Sequence, residues 1–190
     1  MAEIARRAHV AEKTVFNYFP TKEDLFYSRL EALGEELLAA IREREPGESI
    51  LAAFRRFLLR QRGVLEIEVP GGDREATRRI RTINRVITES PALLARERQV
   101  FARHTEALAA LIAEETGATA DDVEPRVVAS ALLGVHRSLI DYVRRRTLAG
   151  ASAVATARGM RAQTRRAFGL LEQGLGNYAV KGELRSPPRS

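Results

Sequence analysis

The sequence predicts an all-α fold, and three observations carry the prediction. Apolar residues recur at spacings of three and four along most of the 190-residue chain, the period of a helix that buries one face. No segment shows the β-branched alternation of a half-buried strand. Breaks at Pro20, Pro46-Gly47 and Pro70-Gly71-Gly72 divide the periodic runs, as helix-stopping residues should.

Taken in order, Ile4, Ala5 and Ala8 mark a short first helix ending near His9-Val10. A second short helix runs from about Glu12 to Phe19, with Val15 and Phe19 four apart on one face. Pro20 stops it. Thr21-Lys22-Glu23-Asp24 resembles a capping box with Asp in place of the usual Glu or Gln. A long helix should follow through Leu25, Leu30, Leu33, Leu37 and Ile41, ending before Pro46. Ser49 can cap the next, which carries Phe54, Phe57, Leu58 and Leu65.

Beyond the Pro70-Gly71-Gly72 break, residues 73–89 read as a helix with Ile80, Ile83, Asn84 and Ile87 on one side. Ser90-Pro91 opens another, proline being favoured at the first helical position. It continues through Leu94, Phe101, Leu108 and Ile112 to Gly117. Asp121 or Asp122 is expected to start the next helix, which runs to Arg144-Arg145-Arg146; both ends then complement the helix dipole. A final helix spans roughly 153–174, and the tail after Gly176, with Pro187-Pro188, is expected to fray. The expected total is about nine helices.

Composition narrows the function classes. There is no cysteine, which excludes disulfides, thiolate nucleophiles and cysteine-ligated zinc. No apolar run approaches the ~20 residues of a membrane-spanning helix, and arginines and a glutamate interrupt MAEIARRAHV as a signal peptide. A cytoplasmic protein without membrane partners is expected. The net charge of +6 is unevenly spread: residues 137–190 carry +8 and residues 105–136 carry −5. The excess reads better as a solvated arginine face than as a second nucleic-acid site.

Two short helices meeting at a tight turn at the start make a helix-turn-helix candidate. The stretch AEIARRAHVAEKTVFNYFPTKEDLF then becomes specific. It combines an I-A-x-x-A-x-V helix, a T-V-F-x-Y-F helix and a P-x-K-E-D-L opening of the next helix. From Ala2 to about Leu30 it resembles the DNA-binding head of the TetR family of transcriptional regulators. The resemblance implies a helix-turn-helix head followed by a helical ligand-binding and dimerisation body. It implies double-stranded DNA, a small-molecule effector and a second copy of the chain as partners. Expected boundaries are 1–44 for the head with its connecting helix, 45–176 for the body and 177–190 for a flexible tail.

The chemistry of the head supports this independently. A recognition helix buries one face to hold its angle and offers the other to the major groove. Ile4, Ala5, Ala8, Val10, Val15 and Phe19 can form the small core, leaving Lys13, Thr14, Phe16, Asn17 and Tyr18 toward DNA. Lys13 and Lys22 can neutralise phosphates, and the hydroxyls of Thr14 and Tyr18 can donate to them. Asn17 can pair with an adenine edge, and the Phe16 ring can meet a thymine methyl. The family resemblance assigns DNA contact to the positions of Phe16, Asn17 and Tyr18 and a phosphate grip to that of Lys22. Phe16 is equally well read as a packing residue of the head; for Lys22 and Tyr18 contact is the better reading.

Three departures from the family pattern stand out. His9 occupies a turn position where the family prefers glycine, although histidine tolerates positive φ better than most residues. Ala11 replaces the usual Ser/Thr cap, at a cost of about 1 kcal/mol to the recognition helix. The family's first helix would precede this motif, and Met1 falls where the family often has valine. An internal GTG codon taken as the start and a genuinely shortened head both stay open here.

For the body, the resemblance implies a ligand cavity, and the residues supply candidates. Asn84 interrupts an apolar stripe, His104 follows Phe101 by three, and His136 lies between Leu132-Leu133 and Leu139-Ile140. Buried polar groups need partners, which a ligand or the protein itself can supply; for each lone histidine the protein is the commoner source. Arg81 and Arg103 can attract an anion but are more often solvated, and Phe54, Phe57, Leu58 and Phe101 read better as core than as a ligand box. The helix over 123–146 is apolar on two sides, and the last helix repeats Ala157, Met160, Thr164, Phe168, Leu171 and Leu175 at spacings of three and four. Two such helices per subunit suit a two-fold four-helix interface, whose heads would stand roughly 34–36 Å apart or a multiple of that.

A ligand-released repressor acting as a homodimer is therefore the expected function. An enzyme is disfavoured: the chain has no H-E-x-x-H, no phosphate-binding glycine loop and no G-x-S-x-G elbow. Its three histidines lie too far apart in sequence to suggest a metal cluster, and no cofactor is expected. The alternative is a helical ligand- or partner-binding protein whose DNA head is defective.

Overall fold

The computed structural model describes residues 2–60 and 73–175. Leu65, the Pro70-Gly71-Gly72 break and the expected tail 177–190 lie outside the described residues. Among the described residues there are eight helices and no strand, against the nine or so expected. They are α1 (Ala2–Arg7), α2 (Glu12–Tyr18), α3 (Lys22–Arg42), α4 (Ile50–Arg60), α5 (Asp73–Glu89), α6 (Pro91–Thr116), α7 (Glu124–Leu148) and α8 (Ala153–Leu175).

Local chemistry sets most helix ends. At α3 the capping box forms in both directions: Asp24 N donates to Thr21 Oγ1 at 3.1 Å, and Thr21 N donates to the Asp24 carboxylate at 2.8 Å. The shorter aspartate thus serves as well as Glu at this site. Ser90 Oγ accepts from Leu93 N with Pro91 next in line, and Gly117 closes α6 in the left-handed region at φ 67°. Ser49 Oγ accepts from Ala52 N at 3.2 Å. Ala11 leaves α2 without a side-chain cap, and His9 holds φ 54° in the turn before it.

The start of α7 corrects the sequence reading. Asp122 does not cap it but turns back to accept from Thr119 N at 2.7 Å and Thr119 Oγ1 at 3.0 Å. An Asp reaching back three residues closes a turn of its own. The helix therefore begins only at Glu124, with Val123 as an uncapped lead-in.

Helices α1 and α2 pack on each other, and α3 runs from this head into the body against α4 and α6. The centre is the pairing of α6 with α7, with α5 laid against both and α8 against α7 and α4. The main core joins Leu33, Leu37 and Ile41 of α3 to Phe54 and Phe57 of α4, Phe101, Leu108 and Ile112 of α6, Leu132 and Leu139 of α7, and Phe168 of α8. A smaller cluster of Tyr27, Ile87, Leu93 and Val100 ties the beginning of α3 to α5 and α6.

Arg44, just past α3, is buried and holds this frame at one end. Its guanidinium donates to the Ile41 carbonyl at 2.8 Å and to both Glu115 oxygens at 2.9 and 2.5 Å, and its Nε donates to the Glu48 carbonyl at 3.1 Å. Among the described residues no helix is long and apolar enough to cross a membrane.

Candidate functional site

The head offers one face of α2 to its surroundings. Val15 of α2 is buried, as is Ala5 of α1, while Lys13, Thr14, Phe16, Asn17 and Tyr18 are all exposed. Phe16 is 45% and Tyr18 77% exposed, so the packing alternative for Phe16 is not what this head adopts. Lys22, the first residue of α3, has its side chain 79% exposed, with the Glu23 carboxylate 4.0 Å away. The expected head core is smaller than the sequence suggested. Ala5 and Val15 are buried and Phe19 half-buried, but Ala8 and Val10 are exposed.

In the body, the structure brings three of the five candidates together. The Phe101 ring lies 5.6 Å from His136 and 6.5 Å from His104, centre to centre, both edge to face. Phe54 meets His136 from the other side at 6.5 Å. His136 is buried, and among the described residues its Nδ1 has no hydrogen-bond partner. Burial, with a smaller contribution from His104, pushes its imidazole down to about 4, so it is neutral at physiological pH. The half-buried His104 ring rests against the backbone of α3, where Gly34 makes room: a Cβ there would lie 2.1 Å from His104 Nε2. Burial and the neighbouring Arg103 lower His104 as well.

The other two candidates point elsewhere. Arg81 donates from Nε to the Thr147 carbonyl at 3.4 Å, at the C-terminal end of α7 where a cation suits the dipole. Asn84 is half-buried on α5, between Ile80 and Ile87, which are buried; Ile83, expected on the same inward side, is exposed. Among the described residues the stripe is one residue narrower than its periodicity implied, with Ile80 and Ile87 buried and Ile83 36% exposed. Arg103 is paired with Glu31 and is not free to draw an anion.

Sequence reasoning missed the charged joint between head and body. Arg96 of α6 lies 2.5 Å from Asp24 Oδ1 and 3.1 Å from Glu31 Oε1. Buried Glu97 takes the Tyr27 hydroxyl at 3.3 Å and Arg144 of α7 at 3.0 and 2.8 Å. The signal for the second contact is in the sequence: Glu97 falls on the apolar face with Leu93, Val100 and Phe101, where a carboxylate requires a partner.

On the outer side, α7 and α8 leave a groove lined by Ala131, Gly134, Val135, Ser138, Gln163 and Ala167. Val127 on α7 and Leu170 on α8 are 59% and 81% exposed. The small residues allow another helix to approach closely, and the two large apolar ones stand in water.

Comparison with known families completes the account. The profile described as bacterial regulatory proteins, tetR family, matches residues 1–28. The profile described as MftR C-terminal domain matches residues 61–176, well over half of the chain. None of the curated proteins matches it. A DNA-binding helix-turn-helix of this family at the head, joined to a C-terminal domain of the same family, makes the chain a member of the TetR family of bacterial DNA-binding transcriptional regulators.

Proposed function

We propose that this regulator is a repressor that binds its operator as a homodimer and is released by a small molecule held in the body. The head, residues 1–44, reads DNA through Lys13, Thr14, Phe16, Asn17, Tyr18 and Lys22. Residues 45–176 carry the effector site and the dimer face. The observation that supports this most is Phe16 and Tyr18 standing out in water beside Lys13 and Asn17. Large aromatic side chains exposed on a short helix whose other face is buried serve the surface they meet, and here that surface is the groove and its phosphates.

The dimer reading is supported by the groove between α7 and α8, lined mostly by small residues with Arg145 and Gln163 at it, and by the exposed apolar Val127 and Leu170 on the same two helices. Pairing it about a two-fold axis buries that surface and doubles the length of DNA read. The effector reading is supported by His136 Nδ1, a buried group without a hydrogen-bond partner among the described residues, beside the rings of Phe54 and Phe101. A ligand releases DNA only if it binds the two arrangements of the subunits unequally.

Selection of bound duplexes from a random pool, followed by titration of the winner and a scrambled copy, tests the reading. A two-fold sequence bound far more tightly than its scrambled copy is the expected result. Equal binding to both would remove the claim of an operator. Sedimentation as a monomer at micromolar concentration would remove the dimer.

A further inference from the structure

We propose that Asp24 and Arg96 form the joint that fixes the angle of the recognition helix relative to the body, with Arg96 as the positioning residue. The two oxygens of the Asp24 carboxylate have separate tasks. Oδ2 closes the capping box that starts α3, three residues past the end of α2, accepting from Thr21 N and Thr21 Oγ1, both at 2.8 Å. Oδ1 is held by Arg96 Nη2 at 2.5 Å. A single planar group therefore connects the N-cap of α3, to which α2 is joined by Phe19 and Pro20, to α6. The Asp24 and Arg96 side chains are only 13% and 21% exposed, so their attraction is little screened.

The charges around the joint balance. Arg96 Nη2 also reaches Glu31 Oε1 at 3.1 Å, its Nη1 donates to Gln99 Oε1 at 3.2 Å, and Glu31 is shared with Arg103. Two carboxylates on α3 thus face two guanidinium groups on α6. Removing Arg96 leaves Asp24 without its cation and Glu31 with Arg103 alone, so the attraction that holds the first turn of α3 against α6 is lost. The neighbouring Tyr27–Glu97–Arg144 contact stays in place, so α3 remains docked further along while its first turn, and α2 with it, tilts.

The consequence for DNA rests on the reading of α2 as the DNA-reading helix, but the test does not need DNA. The chain has no cysteine, so Glu12→Cys and Ala110→Cys, both at exposed positions, place two spin labels on head and body. Labelled chains diluted into an excess of unlabelled ones report the distance within one chain. The expected result is one narrow distance, broadened or displaced by several ångströms in Arg96→Gln and restored in Arg96→Lys. Asp24→Asn keeps an amide oxygen for the Thr21 donors but loses the ion pair, and it should reproduce Arg96→Gln; it decides the matter if Arg96→Gln does not fold. A folded Arg96→Gln with the wild-type distance, or Arg96→Lys as displaced as Arg96→Gln, would overturn the proposal. Failure of the wild type to bind any duplex would instead remove the reading of α2 and leave the distance result standing.

Discussion

Replacing Lys22 by alanine separates the electrostatic part of DNA binding from the rest of the fold. Lys22 is the first residue of α3, but the cap that starts this helix is made by Thr21 and Asp24. The substitution therefore leaves the capping hydrogen bonds intact. Its ammonium lies 4.0 Å from Glu23 and is otherwise in water, so little is lost within the protein. Each phosphate neutralised on duplex DNA releases about 0.9 counterion. A dimer presents two copies of Lys22, so Lys22→Ala should lower the slope of log affinity against log salt by about 1.8. At 0.1 M salt that is a roughly 60-fold loss of affinity. Fluorescence anisotropy on the operator and on a scrambled duplex, from about 50 to about 300 mM salt, measures it. Both duplexes should lose the same slope, because a phosphate contact carries no sequence information. An unchanged slope would refute the assignment, and a loss near 0.9 would mean that only one head engages.

Three further outcomes follow from the body. Arg44→Ala removes a buried guanidinium from Glu115, whose side chain is 26% exposed, and should cost about 3 kcal/mol in urea unfolding, the low end for a broken buried pair because water can reach the carboxylate. Arg126→Ala breaks a pair that is 66% and 56% exposed and should cost less than about 1 kcal/mol; similar losses in the two variants would defeat the reasoning. Gly34→Ala drives a methyl into the His104 ring and should destabilise by about 1–3 kcal/mol, whereas in a His104→Ala background it should stabilise by up to about 1 kcal/mol through helix propensity. His136 has its folded value lowered to about 4; the unfolded chain therefore binds the extra proton, and stability present above about pH 6.5 is lost as pH falls toward 4. His104 is shifted the same way, so His136→Leu should remove part of that slope, about one proton's worth at most, and a slope unchanged in the variant would contradict a buried neutral His136.

What the sequence made legible is what short-range chemistry decides. The second short helix, the Thr21–Asp24 box, the Ser90-Pro91 start and the Gly117 stop each depend on residues within four positions of one another, and each is present. The start of α7 failed on the same scale, because Asp122 had two local uses and Thr119 supplied the nearer donors. The periodicity of α5 placed Ile83 inward because a period fixes an angular stripe but not how wide a neighbouring helix will cover it. In the head, Ala8 and Val10 were assigned to a core by their apolar type alone, and both are exposed.

The joint between head and body was illegible for a different reason. Asp24 finds Arg96, Tyr27 finds Glu97 and Arg44 finds Glu115 across about 70 residues of chain, and nothing local distinguishes these arginines from the solvated ones on the outer faces. Glu97 is the exception that shows where the information lay. Its register beside Leu93 and Val100 puts a carboxylate where water does not reach, and leaving it unpaired there would cost several kcal/mol. The sequence therefore required a cation for Glu97 without saying which. That choice fell to Arg144, a residue readable only as a charge suiting the end of α7, and it became a buried partner because α6 and α7 pack antiparallel at a register set by the apolar residues between them.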